Sequence, residues 1–175
     1  MKITLVTGGA RAGKSTWAEQ EARRLGGESV TYVATAEPLD GEMAKRIARH
    51  RAARPSEWHT EEVPRRVPEA VTSASTPVVL LDCVTLWISN LVLDDRVGVE
   101  GARERVEELL RRAAAREGHL VVVTNEVGLG VIPGNALARR YRDLLGWANR
   151  RLAEEAREVV LLVAGLPLHL KDPSA

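Results

Sequence analysis

The most constraining feature of this sequence is a glycine-rich segment, GGARAGKS at residues 8–15, which directly follows the apolar run KITLVT at residues 2–7. The segment matches the pattern G-x-x-x-x-G-K-[ST], and a helical pattern begins at its end. A strand, a phosphate-binding loop and a helix in this order are typical of a nucleotide-binding α/β protein. A glycine turn that binds no ligand is the alternative interpretation of the same residues.

The residue types of this segment suit phosphate binding. Glycines let the backbone curl so that its N–H groups face phosphate oxygens, and the helix N-terminus adds partial positive charge. The Lys14 ammonium can reach the β- and γ-phosphates, and the Ser15 hydroxyl can ligate Mg²⁺. We therefore predict nucleotide contacts along the whole loop, from Gly8, Gly9, Ala10, Arg11, Ala12, Gly13, Lys14 and Ser15.

Five short apolar runs alternate with mostly helical patterns along the chain. Strands are predicted at residues 2–7, 30–35, 77–82, 119–124 and 158–165, and helices at 14–25, 39–53, 84–93, 101–117 and 135–157. The runs are continuously apolar, as in parallel strands covered by helices on both faces. The pattern predicts an α/β fold with a mostly parallel sheet, in one domain of residues 1–175. Residues 54–77 are predicted to be the least regular part, and 171–175 a frayed tail.

Composition limits the partners and the setting. The sequence has 25 Lys and Arg residues against 24 Asp and Glu residues, so no overall charge favours nucleic acid or an anionic membrane. It has one cysteine, Cys83, and no apolar run of about 18 residues that could span a membrane. We therefore predict a soluble, cytoplasmic protein. The helix at 84–93 is apolar nearly all round, which predicts that it packs partly against a neighbouring subunit.

Two acidic residues follow predicted strands. Ligands bind at the carboxyl ends of parallel strands, so Asp82 is predicted to lie beside the metal of a nucleotide site. A cap for the helix that begins near Val84 is the alternative role for Asp82. Asn125 and Glu126 end the fourth apolar run, where Glu126 could orient or deprotonate an attacking hydroxyl. An ordinary turn is the alternative there.

Several longer segments extend this pattern over nearly the whole chain, namely TGGARAGKS, YVAT, DGEMAKRIARHRAARP, LLDCVTLWISNLV and VTNEVGLGVIPGNALARRYRDLLGWANRRLA. Together they resemble the bifunctional adenosylcobinamide kinase / adenosylcobinamide-phosphate guanylyltransferase family. The resemblance implies a RecA-like P-loop fold, often assembled as a homotrimer. It also implies two activities, phosphorylation of adenosylcobinamide with GTP or ATP, then transfer of GMP from GTP through a guanylylated histidine.

The resemblance assigns the nucleophilic role to His50, the only histidine in the segment RIARHRAARP. From the residues alone, a lone histidine in a basic helix is more often a solvated side chain. The neighbouring cations Arg51 and Arg54 would spread the charge on the phosphates. If residues 39–53 are helical, His50 shares a face with Arg46 and Arg54, so one surface could meet a triphosphate. The three other histidines, His59, His119 and His169, are predicted to be structural.

The resemblance also adds nucleotide contacts beyond the phosphate loop. Glu62 corresponds to an acidic position that could accept hydrogen bonds from guanine, and Ser15 and Asp82 are the predicted Mg²⁺ ligands. The remaining nucleotide contacts that the resemblance implies are Val33, Ala34, Thr35, Arg51, Ala52, Ala53 and Arg54.

Two other functional classes stay open at this level. A single-activity P-loop kinase of a small metabolite would use the same phosphate loop but would not need His50. A RecA-type NTPase that assembles on a polymer would need a basic face or polymer-binding loops, which the balanced charge does not suggest.

Overall fold

All the strands lie in one sheet of the computed structural model, which describes residues 1–172 except the side chain of Ala53. They are β1 Lys2–Gly8, β2 Val30–Ala34, β3 His59–Glu62, β4 Val78–Asp82, β5 His119–Val123, β6 Glu158–Val163 and β7 Leu166–Lys171. Their order across the sheet is β3-β2-β4-β5-β1-β6-β7, and only the β6–β7 pair is antiparallel. The predicted α/β fold with a mostly parallel sheet is confirmed.

Six helices connect these strands in the described residues 1–172. They are α1 Lys14–Gly26, α2 Gly41–Ala53, α3 Val67–Ser73, α4 Val84–Val92, α5 Gly98–Ala114 and α6 Ala136–Glu155. All five predicted helices are present, with ends displaced by at most three residues from the predicted ones. Within residues 1–172, no helix is long and apolar enough to cross a membrane.

The sheet is buried on both faces, which explains why its central strands are continuously apolar. On one face, Tyr32 and Leu80 pack with Ala18 and Ala22 of α1. On the other face, the neighbouring strand residues pack with α3, α4, α5 and α6. Because successive strand residues alternate between faces, each strand contributes to both layers of the core.

The span at residues 54–77 is more regular than predicted, since it holds both β3 and α3. The β3 sequence HTEE is polar, and the strand is an edge strand that pairs only with β2. A polar edge strand has no apolar run to reveal it, because neither apolar packing nor a second partner is required there.

The last predicted strand, at residues 158–165, is the first strand of a β-hairpin together with its turn. The strand β6 ends at Val163, and residues Ala164 and Gly165, with φ of 51° and 83°, turn the chain back into the antiparallel edge strand β7. Two residues with positive φ form the tight turns that match the twist of antiparallel strands. Lys171 belongs to β7, so the predicted tail at 171–175 begins too early; residues 173–175 lie outside the described part.

The apolar helix α4 is covered by its own chain. Its residues Trp87, Ile88 and Leu91 are buried in the core, where α4 packs against α5 and α6. The apolar composition of this helix therefore does not require a neighbouring subunit, and the predicted partial contact with one stays a prediction. The apolar composition is explained by burial between the sheet and two other helices.

Gly118, between α5 and β5, lies very close to the backbone of Pro77, and a substitution can test this close approach. Gly118 has a φ of 104°, and an added Cβ would collide with the carbonyl oxygen of Pro77. We expect Gly118→Ala to lower the free energy of unfolding by about 2 kcal/mol or more, measured by urea denaturation.

The matched control is Gly146→Ala in α6, where no atom lies within 4 Å of an added Cβ. It should raise stability by about 0.5–1 kcal/mol. Equal stabilities of the two variants would contradict the close approach.

Candidate active site

A cleft at the carboxyl edge of the sheet collects many of the residues that sequence analysis predicted to be functional. It is lined by Ser15, Tyr32, Ala34, Ala36, Met43, Arg46, Ile47, His50, Arg54, Glu62, Asp82, Cys83 and Leu86. The predicted nucleotide, metal and nucleophile positions Ser15, Ala34, His50, Arg54, Glu62 and Asp82 all belong to this set. Residues from three strand ends and from α1, α2 and α4 therefore meet in one place.

Strand register explains why three of these side chains meet. Ala34, the last residue of β2, pairs with Asp82 of β4 on one side and with Glu62 of β3 on the other. Directly paired residues of parallel strands point to the same face of a sheet. The row Glu62, Ala34 and Asp82 therefore lies on one face at the strands' carboxyl ends, which is where α/β proteins bind ligands.

The phosphate loop leaves the N-terminus of α1 free for an anion. Gly13 is the N-cap residue, no side chain caps the helix, and the first turn contains no acidic residue. The first N–H groups of a helix have no partner within the helix, and the helix dipole adds positive charge there. Phosphate oxygens satisfy both requirements.

Lys14 is held close to the loop. Its Nζ donates a hydrogen bond to the Gly9 carbonyl oxygen at 2.5 Å, and its side chain is buried. Burial lowers the pKa of Lys14, while the nearby Cys83 and Asp82 groups oppose that shift. The ammonium therefore lies where a phosphate could replace a backbone carbonyl as its partner.

The β6–β7 turn supports the phosphate loop from behind. The Gly165 N–H donates to the Ala12 carbonyl oxygen at 3.2 Å. At the end of β1, an added Cβ at Gly8 would collide with the carbonyl oxygen of Leu162 in β6. Sequence analysis missed the contact of Gly165 with Ala12 because it did not predict the β6–β7 hairpin. Gly8 is thus required by strand packing as well as by the motif.

Asp82 is not a helix cap. The N-cap residue of α4 is Cys83, and no side chain caps that helix. The Asp82 carboxylate instead accepts a hydrogen bond from the Tyr32 hydroxyl, with 2.6 Å between the two oxygens. Burial and the neighbouring Asp82 carboxylate raise the pKa of Tyr32, so the phenol keeps its proton and donates.

Glu19 of α1 is a second acidic residue near this carboxylate, and sequence analysis did not identify it. Burial raises the pKa of Glu19, the negative charge of Asp82 adds to the increase, and the positive charge of Arg54 opposes it. Only the tertiary structure brings the middle of α1 close to the end of β4. The two carboxyl groups therefore lie close enough to influence each other.

The helix α2 presents one face to the cleft. Its residues Met43, Ile47 and His50 are partly buried along a helical stripe, and none of its described side chains is fully buried. Arg46, on the same helix, and Arg54, immediately after it, also line the cleft. The structure thus places His50 on the same cleft as two cations, and helical four-residue spacing applies to Arg46, whereas Arg54 follows the end of α2.

The guanidinium group of Arg54 has hydrogen-bond donors that could bind an anion. Its guanidinium carbon lies 4.0 Å from the centre of the Tyr32 ring, and its Nε and Nη1 atoms are buried without a hydrogen-bond partner. Buried N–H groups are nearly always paired in native proteins, so these two call for an acceptor. A phosphate oxygen is a strong acceptor for a guanidinium. Arg51, three residues earlier, forms an ion pair with Glu62.

Some predicted contacts do not reach the cleft through their side chains. Val33 is buried in the core on the opposite face of the sheet. The Thr35 hydroxyl is fully buried, where it donates to the Cys83 carbonyl oxygen at 2.8 Å and accepts from the Cys83 N–H at 2.9 Å. Ala52 is exposed, and the side chain of Ala53 lies outside the described part. Nucleotide contacts at Val33 and Thr35 would have to use the backbone.

Glu126 lies beside the phosphate loop and does not line the cleft. Its backbone N–H donates to the Gly8 carbonyl oxygen at 3.1 Å, and its carboxylate accepts the Gly128 N–H at 2.5 Å. Asn125 is held through its backbone by Thr85 and Asn149. A catalytic role for Glu126 stays a prediction that requires its carboxylate to leave Gly128.

The donor set fits Mg²⁺ better than a metal that needs a full protein cage. Within residues 1–172, no three His, Cys, Asp or Glu side chains form a group that could hold a metal ion. Ser15 and Asp82 contribute one hydroxyl and one carboxylate to the cleft. Mg²⁺ is usually bound by one or two protein oxygens together with water and substrate phosphates.

Comparison with known proteins gives a consistent match. The model of the family described as "Cobinamide kinase / cobinamide phosphate guanyltransferase" matches residues 4–170. The chain is 45% identical to the bifunctional adenosylcobalamin biosynthesis protein CobP of Pseudomonas aeruginosa, covering 95% of this chain and 96% of that protein. It is 41% identical to the bifunctional adenosylcobalamin biosynthesis protein CobU of Escherichia coli, covering 97% and 99%.

Solved structures show the fold. The flagellar accessory protein FlaH of Methanocaldococcus jannaschii is similar with a TM-score of 0.55 and 15% identity, covering 99% of this chain and 79% of that one. The ATPase domain of a second solved protein is similar with a TM-score of 0.53 and 10% identity, covering 99% of this chain and 78% of that one. These neighbours support the RecA-like P-loop fold, and identities this low indicate nothing about function.

Lys14 gives the first test of this site. We expect Lys14→Ala to lower turnover with a nucleoside triphosphate by about 100-fold or more, because a cation that stabilises the transferring phosphoryl group is lost. The matched control is Lys45→Ala, which removes an exposed ammonium from α2. Steady-state kinetics with both variants, alongside thermal unfolding, check this expectation. Unchanged turnover in a folded Lys14→Ala protein would contradict the phosphate-loop assignment.

Proposed function

The chain belongs to the cobinamide kinase / cobinamide phosphate guanyltransferase family, and we propose that its two reactions use a single cleft, with His50 as the carrier of GMP. The protein is a bifunctional enzyme of adenosylcobalamin biosynthesis, a cobinamide kinase and a cobinamide phosphate guanylyltransferase. The observation that carries the proposal is the common cleft of Ser15, His50, Arg54 and Asp82. We propose adenosylcobinamide as the corrinoid substrate.

In the kinase step, a hydroxyl of the corrinoid attacks the γ-phosphorus of GTP or ATP. The new O–P bond forms as the bond to the β-phosphate oxygen breaks, and the nucleoside diphosphate leaves. Lys14 and the free N–H groups at the start of α1 hold the phosphates. We propose that Ser15 and Asp82 hold Mg²⁺, which neutralises phosphate charge when bound. Glu126, whose backbone N–H donates to the Gly8 carbonyl oxygen, is the proposed group for orienting the hydroxyl and for accepting its proton as the O–P bond forms.

In the guanylyl step, a neutral His50 imidazole attacks the α-phosphorus of GTP. An N–P bond forms, the bond between the α-phosphorus and the bridging oxygen breaks, and pyrophosphate leaves. An oxygen of the corrinoid phosphate then attacks the same phosphorus and displaces His50, which completes the transfer of GMP. Arg46 and Arg54, on the same cleft, stabilise the negative charge of the phosphates.

We propose that Glu62 recognises the guanine base. Its carboxylate can accept hydrogen bonds from the guanine N1–H and N2–H₂ groups, which adenine cannot offer in the same arrangement. The Arg51 guanidinium forms an ion pair with one Glu62 oxygen. The other Glu62 oxygen is then available to the base.

His50 gives the test that separates the two chemistries. We expect His50→Ala to lose both the covalent GMP adduct and the guanylyl transfer, because no other group in the cleft supplies the attacking nitrogen. Phosphorylation of adenosylcobinamide should remain measurable, since its nucleophile is a substrate hydroxyl. Intact-mass measurement after incubation with GTP reports the adduct, and product analysis reports each reaction.

The matched control is His59→Ala, which removes an exposed imidazole from β3 that pairs with Glu61. This variant should form the adduct like the wild type. The adduct should be a phosphoramidate, which is labile in acid and stable in base, unlike a phosphate ester on a hydroxyl. An acid-stable adduct, or an adduct on His50→Ala, would overturn the role of His50 and favour a single-activity kinase.

We also propose that the chain forms a homotrimer and acts in the cytoplasm, where nucleoside triphosphates are available. Support for self-association comes from large apolar side chains that one chain leaves exposed. Leu129, Val131 and Ile132, in the loop after β5, are 91%, 94% and 67% exposed, and the β7 side chains Leu166, Leu168 and Leu170 are also exposed. Apolar clusters of this kind often mark contacts between proteins.

The oligomeric state can be measured directly. We expect light scattering at micromolar concentration to give a mass three times the 19.1 kDa of one chain. Burial of exposed apolar side chains supplies the driving force for this association. A mass of one chain at all concentrations would contradict the trimer while leaving the assignment of the cleft intact.

A further inference from the structure

Tyr32 contacts two charged groups of the cleft at once. Its side chain is 1% exposed, its hydroxyl lies 2.6 Å from Asp82 Oδ2, and its ring lies 4.0 Å from the guanidinium carbon of Arg54. Neither contact was predicted from the sequence, where Tyr32 is one residue of an otherwise ordinary buried strand. A single rigid side chain thus links the proposed metal position to a proposed phosphate position.

Strand pairing fixes this arrangement. Tyr32 in β2 pairs directly with Leu80 in β4, so Asp82 is its diagonal neighbour on the same face of the sheet. Diagonal neighbours lie within reach of an aromatic side chain. The two backbones are joined by the hydrogen bonds of the sheet, so the distance from the phenol to the carboxylate depends on rigid elements.

The hydroxyl leaves one carboxylate oxygen available. It donates to Oδ2, and none of the hydrogen bonds made by residues 1–172 goes to Oδ1 of Asp82. A carboxylate with one oxygen held by a donor cannot rotate freely, and its other oxygen keeps a fixed direction. Such preorganisation of a ligand by a neighbouring hydrogen bond raises metal affinity.

We infer that Tyr32 is a positioning residue, which holds the Asp82 carboxylate for a divalent cation and supports Arg54 beside it. The inference rests on the proposed role of Asp82 as a metal ligand. A tyrosine needed only for packing would be replaceable by phenylalanine, whose ring fills nearly the same volume. The hydroxyl is therefore the part of the side chain to test.

The experiment measures Mn²⁺ binding by electron paramagnetic resonance, with the protein saturated by a non-hydrolysable GTP analogue. We expect Tyr32→Phe to weaken Mn²⁺ binding about tenfold, the effect of losing a hydrogen bond to a charged group. The matched control is Tyr141→Phe, which removes a partly buried hydroxyl that donates to the Thr85 carbonyl oxygen at 3.2 Å. Its Mn²⁺ affinity should equal that of the wild type.

A double-mutant cycle separates positioning from loss of structure. Because Tyr32 acts through Asp82, adding Tyr32→Phe to Asp82→Asn should change Mn²⁺ affinity no further. Unchanged Mn²⁺ affinity in Tyr32→Phe, or equal losses in both backgrounds, would overturn the inference. If Asp82→Asn binds Mn²⁺ like the wild type, the proposed metal role fails, and Tyr32 positions no ligand. None of these readouts depends on the corrinoid or on His50.

Discussion

Parallel pairing of β4 with β2 and β5 is the constraint on which the rest of the structure depends. It brings the carboxyl ends of these strands to one edge, where Asp82, Ala34 and Glu62 stand in a row. Only β5 separates β4 from β1, so Asp82 lies about 10 Å from β1, whose end begins the phosphate loop, and Ala34 and Glu62 lie one and two further strand spacings of about 5 Å away. Separations of this size suit a triphosphate and its metal ion. The reactive groups are thus positioned by backbone hydrogen bonds between buried strands.

The helix that carries His50 contributes little to the core. The helices α1 and α3 to α6 bury apolar faces against the sheet, while α2 has no fully buried side chain among those described. A helix that contributes little to the core can carry many charged residues without a large loss of stability, since exposed substitutions usually change stability little. This explains how one segment can contain His50, Arg46 and several further arginines. The surrounding fold supplies the stability that α2 does not.

Positive and negative side chains occupy different parts of the site. Arg46 and Arg54 in the cleft, together with Lys14 in the phosphate loop, supply cations where phosphates are proposed to bind, and Asp82 supplies negative charge where a cation is proposed. Two guanidinium nitrogens of Arg54 are buried and donate to no group of the described residues. An anion bound beside them can accept their hydrogen bonds. This geometry favours a phosphate as the ligand of Arg54.

The sequence by itself determined the features that depend on local pattern. The phosphate loop, the central strands, five of the six helices and the position of His50 follow from short motifs, periodicity or a family resemblance. Tertiary structure decided the polar edge strand β3, the β6–β7 hairpin next to the phosphate loop and the burial of α4. It also decided the hydrogen bond of Tyr32 to Asp82 and the electrostatic influence of Asp82 on Glu19. The physical reason is that a strand's partner and register are fixed by residues far away in the sequence. A tyrosine in a buried strand looks the same whether its hydroxyl meets a carboxylate or a backbone carbonyl, and only the register places it beside Asp82.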